Sequence, residues 1–208
     1  MLAYGLTLCI GLSALVAIRA DYAASRVWFY IFKPLTTVLI ICLALALPAV
    51  SGLYRAGIVA GLILSLAGDV FLMLPDAYFV HGLASFLLAH LVYLATFTAR
   101  SGFRESPWLA LPYAVVVALL IWQIAPRAGQ LRWPVTIYGL ALLGMAWRAG
   151  ALWMTTGNWP AALGGGLFVI SDVTLASNRF VRRFGAAQLV VLSTYYAALC
   201  LLAWSVTV

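Results

Sequence analysis

The sequence contains very little charge. Only 8% of its 208 residues are charged and only five are acidic, whereas 66% are hydrophobic. In soluble domains roughly a quarter of all residues are charged, so this composition excludes an ordinary soluble domain. The polar breaks between the apolar runs are short and leave no room for a domain outside the membrane. We predict an all-α integral membrane protein with a single transmembrane domain over residues 1–208.

Eight apolar runs recur along the chain. Each approaches the length of about 17–25 residues that a helix needs to cross a hydrocarbon core of roughly 30 Å. The eight predicted transmembrane helices are Leu2–Ile18, Trp28–Val50, Tyr54–Leu74, Tyr78–Ala99, Pro107–Ile124, Trp133–Leu152, Pro160–Asn178 and Gly185–Val206. We expect the first to be a retained span and not a cleaved signal peptide, because no charge precedes its apolar core.

Cysteine is scarce as well. Cys9, Cys42 and Cys200 lie in different apolar runs without C-x-x-C spacing, so they predict small core residues and no disulfide. The other conceivable metal ligands in the spans are His81, His90, Asp69 and Asp172. No H-x-x-x-H pairing supports a metal site among them, and we predict neither a metal nor a cofactor.

The net charge of +7 predicts membrane topology and no nucleic-acid partner, because the basic residues are scattered over the ends of the spans. Each loop takes the number of the span that it follows. The basic residues in or beside odd-numbered loops are Arg19, Arg26, Lys33, Arg127, Arg132, Arg179, Arg182 and Arg183. Those of the even-numbered loops are Arg55, Arg100, Arg104 and Arg148. The positive-inside rule then places both termini away from the cytoplasm. A bacterial inner membrane is the expected location.

The chain matches itself when it is shifted by 103 residues. The shift aligns Asp69 with Asp172, and it also aligns Gly61 with Gly164 and Tyr93 with Tyr196. A match between two aspartates is informative because the chain has only five acids. We therefore predict two parallel four-helix repeats, about 1–105 and 106–208, in which the third and seventh spans run in the same direction.

Asp69 and Asp172 lie inside their spans, about 22 Å and about 18 Å from the span starts. An ionisable group at such a depth costs about 2.5–3.5 kcal/mol on insertion scales, which favours a functional role. Two carboxyls in a shared apolar cavity predict that one keeps its proton while the other is ionised, as an acid and a base. They are equally suited to a proton-coupled transporter, and each could also simply bond a neighbouring helix.

Other polar residues occur at the same level. Phe86, His90, Tyr93 and Phe97 follow helical spacing and predict one face of the fourth span, on which His90 either packs or lines a cavity. Lys33, Arg179, Arg182 and Arg183 are predicted at the cytoplasmic level of the aspartates. They are either interfacial anchors or a seat for a lipid phosphate, for which Lys33 is the better candidate.

Five blocks of the sequence carry a family resemblance. They are "FKPLT" (Phe32 to Thr36), "GDVFLM" (Gly68 to Met73), "FVHGLASFLLAHLVY" (Phe79 to Tyr93), "LFVISDVTLASNRF" (Leu167 to Phe180) and "STYYAA" (Ser193 to Ala198). In this order they resemble the YhhN family of multi-span membrane proteins, the lysoplasmalogenases. The resemblance runs from the second to the eighth span.

The resemblance implies hydrolysis of the vinyl ether bond of lysoplasmalogens, which releases a fatty aldehyde and glycerophospho-ethanolamine or -choline. Asp69 and Asp172 are the expected catalytic pair, since vinyl ether hydrolysis requires a proton donor and a carboxylate. No G-x-S-x-G motif is present, so an acyl-ester lipase is not expected. The candidate substrate-binding residues are Lys33, His81, His90, Tyr93, Ser171, Asn178, Arg179, Tyr195 and Tyr196.

The expected partners are a lysophospholipid substrate within the bilayer and the membrane lipids themselves. The alternative is a proton-coupled transporter or scramblase of a lipid or small metabolite that uses the same carboxylates as a proton relay. A structural membrane protein would leave the two matched aspartates unexplained. The sequence predicts no oligomeric state.

Overall fold

The computed structural model describes residues 1–102 and 110–208, and within these ranges the chain forms α-helices and no strand. The helices are α1 Leu2–Tyr22, α2 Arg26–Ala46, α3 Gly52–Met73, α4 Phe79–Ser101, α5 Leu111–Ile124, α6 Arg132–Thr156, α7 Trp159–Phe180 and α8 Ala187–Trp204. The predicted all-α membrane fold is confirmed. Arg104, Glu105 and the predicted start of the fifth span at Pro107 lie outside the described residues.

Seven of these helices are long and apolar enough to cross a membrane, and α5 is the shorter one. Its 14 residues span about 21 Å at 1.5 Å per residue, and single 3₁₀ turns extend it towards α6. The predicted C-terminal ends differ by four residues in three helices: α2 already ends at Ala46, α1 continues to Tyr22, and α6 continues to Thr156. Gly157, with φ of 77°, adopts the left-handed conformation that ends this helix.

Six helices form a ring in the order α2, α3, α4, α6, α7 and α8. Helix α1 packs outside the ring against α2 and α8, and α5 packs outside against α6. The first four helices thus contact the last four where α4 meets α6 and where α8 meets α1, α2 and α3. This arrangement agrees with the parallel repeat, which stays a prediction.

The buried face of α4 is the one predicted from helical spacing. Phe86, His90, Tyr93 and Phe97 are all buried, and the rings of Tyr93 and Phe97 stack with their centroids 6.2 Å apart. The ring of Tyr93 lies against Gly61 of α3, where a side chain would collide with it. This contact brings α3 and α4 close together.

Each helix exposes large apolar side chains on the outside of the bundle, as expected where lipid tails and not water surround a protein. Cys9 and Cys42 are exposed on this surface, so the prediction that they are core residues was wrong for both. Sequence hydrophobicity cannot separate the two environments in a membrane. Cys200 is half-buried, and all three thiols are free.

Arg148, which the charge count assigned to an even-numbered loop, lies inside α6 and is only 2% exposed. Its guanidinium donates to Thr98 Oγ1 at 3.1 Å, to Ser101 Oγ at 2.5 Å and to the carbonyl of Gly102. These bonds join α6 to the end of α4. Arg148 is therefore a buried helix connector and not an interfacial anchor.

Gly164 allows α7 to approach α8 closely. A Cβ atom there would lie 3.1 Å from the carbonyl oxygen of Ala198 and 3.1 Å from Leu202. We expect Gly164→Val to destabilise the protein by about 1–3 kcal/mol through overpacking. The matched control is Gly166→Val, because a Cβ on Gly166 meets nothing within 4 Å. Thermal unfolding in detergent measures both, and equal midpoints for the two variants would contradict this packing role.

Candidate active site

The ends of six helices enclose a cavity of about 810 Å³. They are the C-terminal ends of α1, α3 and α7 and the N-terminal ends of α2, α4 and α8. Because the chain begins at the opposite end of α1, this cavity lies towards the membrane face opposite the N-terminus. Asp69 of α3 and Asp172 of α7 both line it.

Asp69 is buried, with only 2% of its surface exposed, and each of its carboxyl oxygens has partners. Oδ2 accepts hydrogen bonds from Thr37 Oγ1 at 2.8 Å and from Tyr195 Oη at 2.7 Å. Oδ1 lies 3.6 Å from Nζ of Lys33, which is itself buried. A cation and two hydroxyl donors therefore surround this carboxyl group, and such partners stabilise a negative charge.

Asp172 has different surroundings. Its Oδ2 accepts a hydrogen bond from Tyr138 Oη at 2.6 Å and lies 3.6 Å from His90 Nε2, which exceeds hydrogen-bond length. His90 is fully buried, and the rings of Tyr138 and Phe168 lie 5.1 Å and 4.7 Å from its own. Among residues 1–102 and 110–208, Asp172 has no lysine or arginine partner, and its Oδ1 accepts no hydrogen bond.

The two aspartates are held by corresponding helices. Helices α2 and α8 supply the partners of Asp69, and helices α6 and α4 supply the neighbours of Asp172. Each aspartate is thus positioned by the helix that precedes its own within the same half and by the last helix of the other half. The positions are related in this way, but the chemistry of the partners differs.

Three further predicted residues line the cavity on α7. Ser171 Oγ donates to the carbonyl of Val191 at 3.1 Å, and Asn178 Oδ1 accepts from the amide of Phe184 at 3.1 Å. Arg179 lies 3.7 Å over the ring of Phe79 and pairs with the exposed Asp76 at 3.4 Å. Ser171 and Asn178 therefore support local structure, and Arg179 is at the cavity mouth.

Other predicted residues are not among the described residues that line the cavity. His81 is exposed and lies beside the rings of Phe71 and Tyr78. Tyr93 packs in the core, as described above. The buried hydroxyl of Tyr196 donates to the backbone carbonyl of Lys33 at 3.5 Å and so links α8 to α2.

Two partners of the aspartates were missed from the sequence. Thr37 lies one helical turn after Lys33, so the spacing of α2 offered a signal for it. Tyr138 lies in the sixth span, which contains none of the five blocks, and only the tertiary structure brings it to Asp172. Asp21 lies beyond Ile18, the predicted end of the first span, but it belongs to the last turn of α1 and lines the cavity.

The fold and the cavity together define a multi-pass membrane protein in which two carboxyl groups lie in one cavity near a membrane face. The sequence profile of the YhhN family matches residues 28–206. The chain belongs to the YhhN family, as the five blocks predicted. No solved structure matches the chain.

Several relatives carry descriptive names. The membrane protein YhhN of Escherichia coli O157:H7 is 32% identical over 190 residues, which cover 89% of this chain and 90% of the relative. Lysoplasmalogenase TMEM86B of Sus scrofa is 41% identical and covers 75% of this chain and 66% of its own length. Lysoplasmalogenase TMEM86A of Homo sapiens is 35% identical, with 71% and 64% covered. At the level of the family, the predicted class of ether hydrolase is confirmed by these names.

Proposed function

We propose that this protein is a lysoplasmalogenase that hydrolyses the vinyl ether bond of lysoplasmalogens with Asp69 and Asp172 as its catalytic residues. The observation that carries the proposal is the pair itself: two carboxyl groups with different partners line one cavity inside a membrane protein. Vinyl ether hydrolysis requires one carboxylic acid and one carboxylate. The products are a fatty aldehyde and a glycerophospho-ethanolamine or -choline.

The partners of the two residues suggest how the roles divide. Asp69 is beside the Lys33 ammonium and accepts two hydroxyl hydrogen bonds, so it is the carboxylate. Asp172 has no cationic partner in the described part of the chain, and its Oδ1 is not engaged there. A carboxyl group in such surroundings holds its proton more readily. Asp172 is therefore the proton donor.

The reaction then proceeds in three balanced steps. Asp172 transfers its proton to the β-carbon of the vinyl ether, and the ether oxygen shares the resulting positive charge as an oxocarbenium ion. Asp69 takes a proton from a water molecule while the oxygen of that water bonds to the α-carbon. The product is a hemiacetal. In the collapse, Asp172 accepts the hemiacetal hydroxyl proton while Asp69 protonates the departing glycerol oxygen, and both carboxyl groups return to their starting states.

The mouth of the cavity suits a zwitterionic head group. Arg26, Arg179 and Arg183 line it together with Asp21 and Asp76. Arginines bind a phosphate through charge-assisted hydrogen bonds, and carboxylates attract an ethanolamine or choline cation. The arginines are better placed for the phosphate than Lys33, because the ammonium of Lys33 faces Asp69.

The same residues suggest the membrane side of the site. Most of the basic residues belong to the face with the cavity mouth, so the positive-inside rule makes this face cytoplasmic. Both termini would then lie on the other side of a bacterial inner membrane. A lysolipid of the cytoplasmic leaflet would enter with its head group at the polar mouth.

Aldehyde release tests the function directly. Purified protein in detergent is incubated with lysoplasmenyl-ethanolamine, and free aldehyde and glycerophospho-ethanolamine are quantified by mass spectrometry. We expect both products in equal amounts, and none from the saturated alkyl ether analogue, which cannot form the oxocarbenium ion by protonation. If the protein cleaves no lysoplasmalogen but moves the lipid across liposome membranes, the protein is a transporter and the proposal is wrong.

A further inference from the structure

A narrow apolar crevice adjoins the cavity beside Asp172. Its volume is about 50 Å³, and helices α3, α4, α6 and α7 supply its walls. The two spaces adjoin, because six residues line both of them: Leu72, Phe79, Phe86, Asp172, Leu175 and Arg179. The proposed proton donor therefore lies where the polar space meets the apolar one.

The side chains that line only the crevice are almost all apolar, among them Leu83 of α4, Val135 of α6 and Ala176 of α7. All three are half-buried, so the packing of the three helices leaves the crevice partly open. The larger cavity, in contrast, is lined by the charged residues of the mouth. One space thus suits a charged head group and the other suits a hydrocarbon chain.

We infer that the crevice between α4, α6 and α7 binds the part of the alkenyl chain next to the vinyl ether and that Leu83, Val135 and Ala176 determine chain selectivity. The inference rests on the proposed function. In a vinyl ether the hydrocarbon chain is attached to the β-carbon, which receives the proton, and the glycerol oxygen is attached to the α-carbon. A chain in the crevice holds the β-carbon at Asp172 and leaves the α-carbon towards Asp69.

This orientation agrees with the division of roles derived from different observations. The roles follow from the hydrogen-bond and charge partners of the two carboxyl groups, whereas the orientation follows from the position of the apolar crevice. A chain bound on the Asp69 side would instead present the α-carbon to the proton donor. The partners of the two carboxyl groups and the position of the crevice therefore select the same pairing of residues and substrate carbons.

Chain selectivity in narrowed and widened variants tests the inference. We measure kcat/KM for lysoplasmenyl-ethanolamines with an octadecenyl and with a butenyl chain. Ala176→Phe and Val135→Phe fill the crevice, so the long-to-short ratio is expected to fall about 10- to 100-fold, the range typical of steric discrimination in apolar pockets. Leu83→Ala widens it and is expected to raise relative activity on a chain with a methyl branch near the vinyl group.

The matched control is Ala84→Phe, which adds the same group to an exposed alanine on α4 outside the crevice. It is expected to keep the wild-type ratio. If the wild-type enzyme is active but the narrowed and widened variants keep its chain selectivity, the chain site is wrong and the proposed function still holds. A wild-type protein that cleaves neither vinyl ether would overturn the proposed function and the chain site with it.

Discussion

Asp69→Ala and Asp172→Ala are each expected to lower kcat by about 10²–10⁴-fold, the usual contribution of a general acid or base. Added formate distinguishes their roles at neutral pH. Formate is ionised there, so it replaces a missing carboxylate and cannot replace a proton donor. We expect formate to restore part of the activity of Asp69→Ala and none of the activity of Asp172→Ala. Initial rates of aldehyde release with increasing formate measure the effect.

Addition of formate to the wild-type enzyme is the control. Both aspartates are present there, so no space is open to formate and the rate should be unchanged. Size-exclusion profiles and unfolding midpoints establish that both variants are folded. Recovery of Asp172→Ala instead of Asp69→Ala would reverse the assignment of donor and base. Wild-type rates in both variants would exclude the aspartates from catalysis.

Lys33→Met should have the second largest effect, because it leaves the carboxylate of Asp69 buried without its cation. Loss of one member of a buried ion pair costs about 3–5 kcal/mol. We expect a lower unfolding midpoint and a decrease of kcat by about 10²-fold, since Asp69 regains a proton and no longer acts as a base. Thermal unfolding and steady-state kinetics on the same preparations measure both effects.

The double variant Lys33→Met/Asp69→Asn provides the matched comparison. It removes both charges, so much of the stability lost in Lys33→Met is expected to return while the enzyme stays inactive. A different result is expected if Lys33 binds the substrate phosphate. In that case KM rises, kcat is unchanged, and the double variant is no more stable than Lys33→Met.

Much of the architecture was predictable because a bilayer restricts the choices. Backbone polar groups in hydrocarbon must be bonded within the segment, so long apolar runs can only be helices, and the eight runs correspond to the eight helices. The buried face of α4 followed from helical spacing in the same way. Which side of each helix faces lipid was harder to predict, as Cys9 and Cys42 illustrate, because apolar residues suit the lipid and the core equally.

The candidate site was predictable only in part. Scarcity singled out Asp69 and Asp172, since a chain with five acids rarely places two at matching positions inside spans. Tyr138 could not be found in this way, because tyrosine is common in membrane helices and its role depends on which helix lies opposite. Lys33 was predicted as the better candidate for a phosphate site, but only the tertiary structure places its ammonium beside the carboxyl group of Asp69.

The sequence by itself determined that the chain is a helical membrane protein with two carboxyl groups within its spans, because hydrophobic runs and rare charges are local properties of the chain. Only the tertiary structure decided that these groups line one cavity and that they differ in their partners. The physical reason is that the partners come from other helices. Thr37 and Tyr195 reach Asp69, and Tyr138 reaches Asp172, only after the six-helix ring has closed.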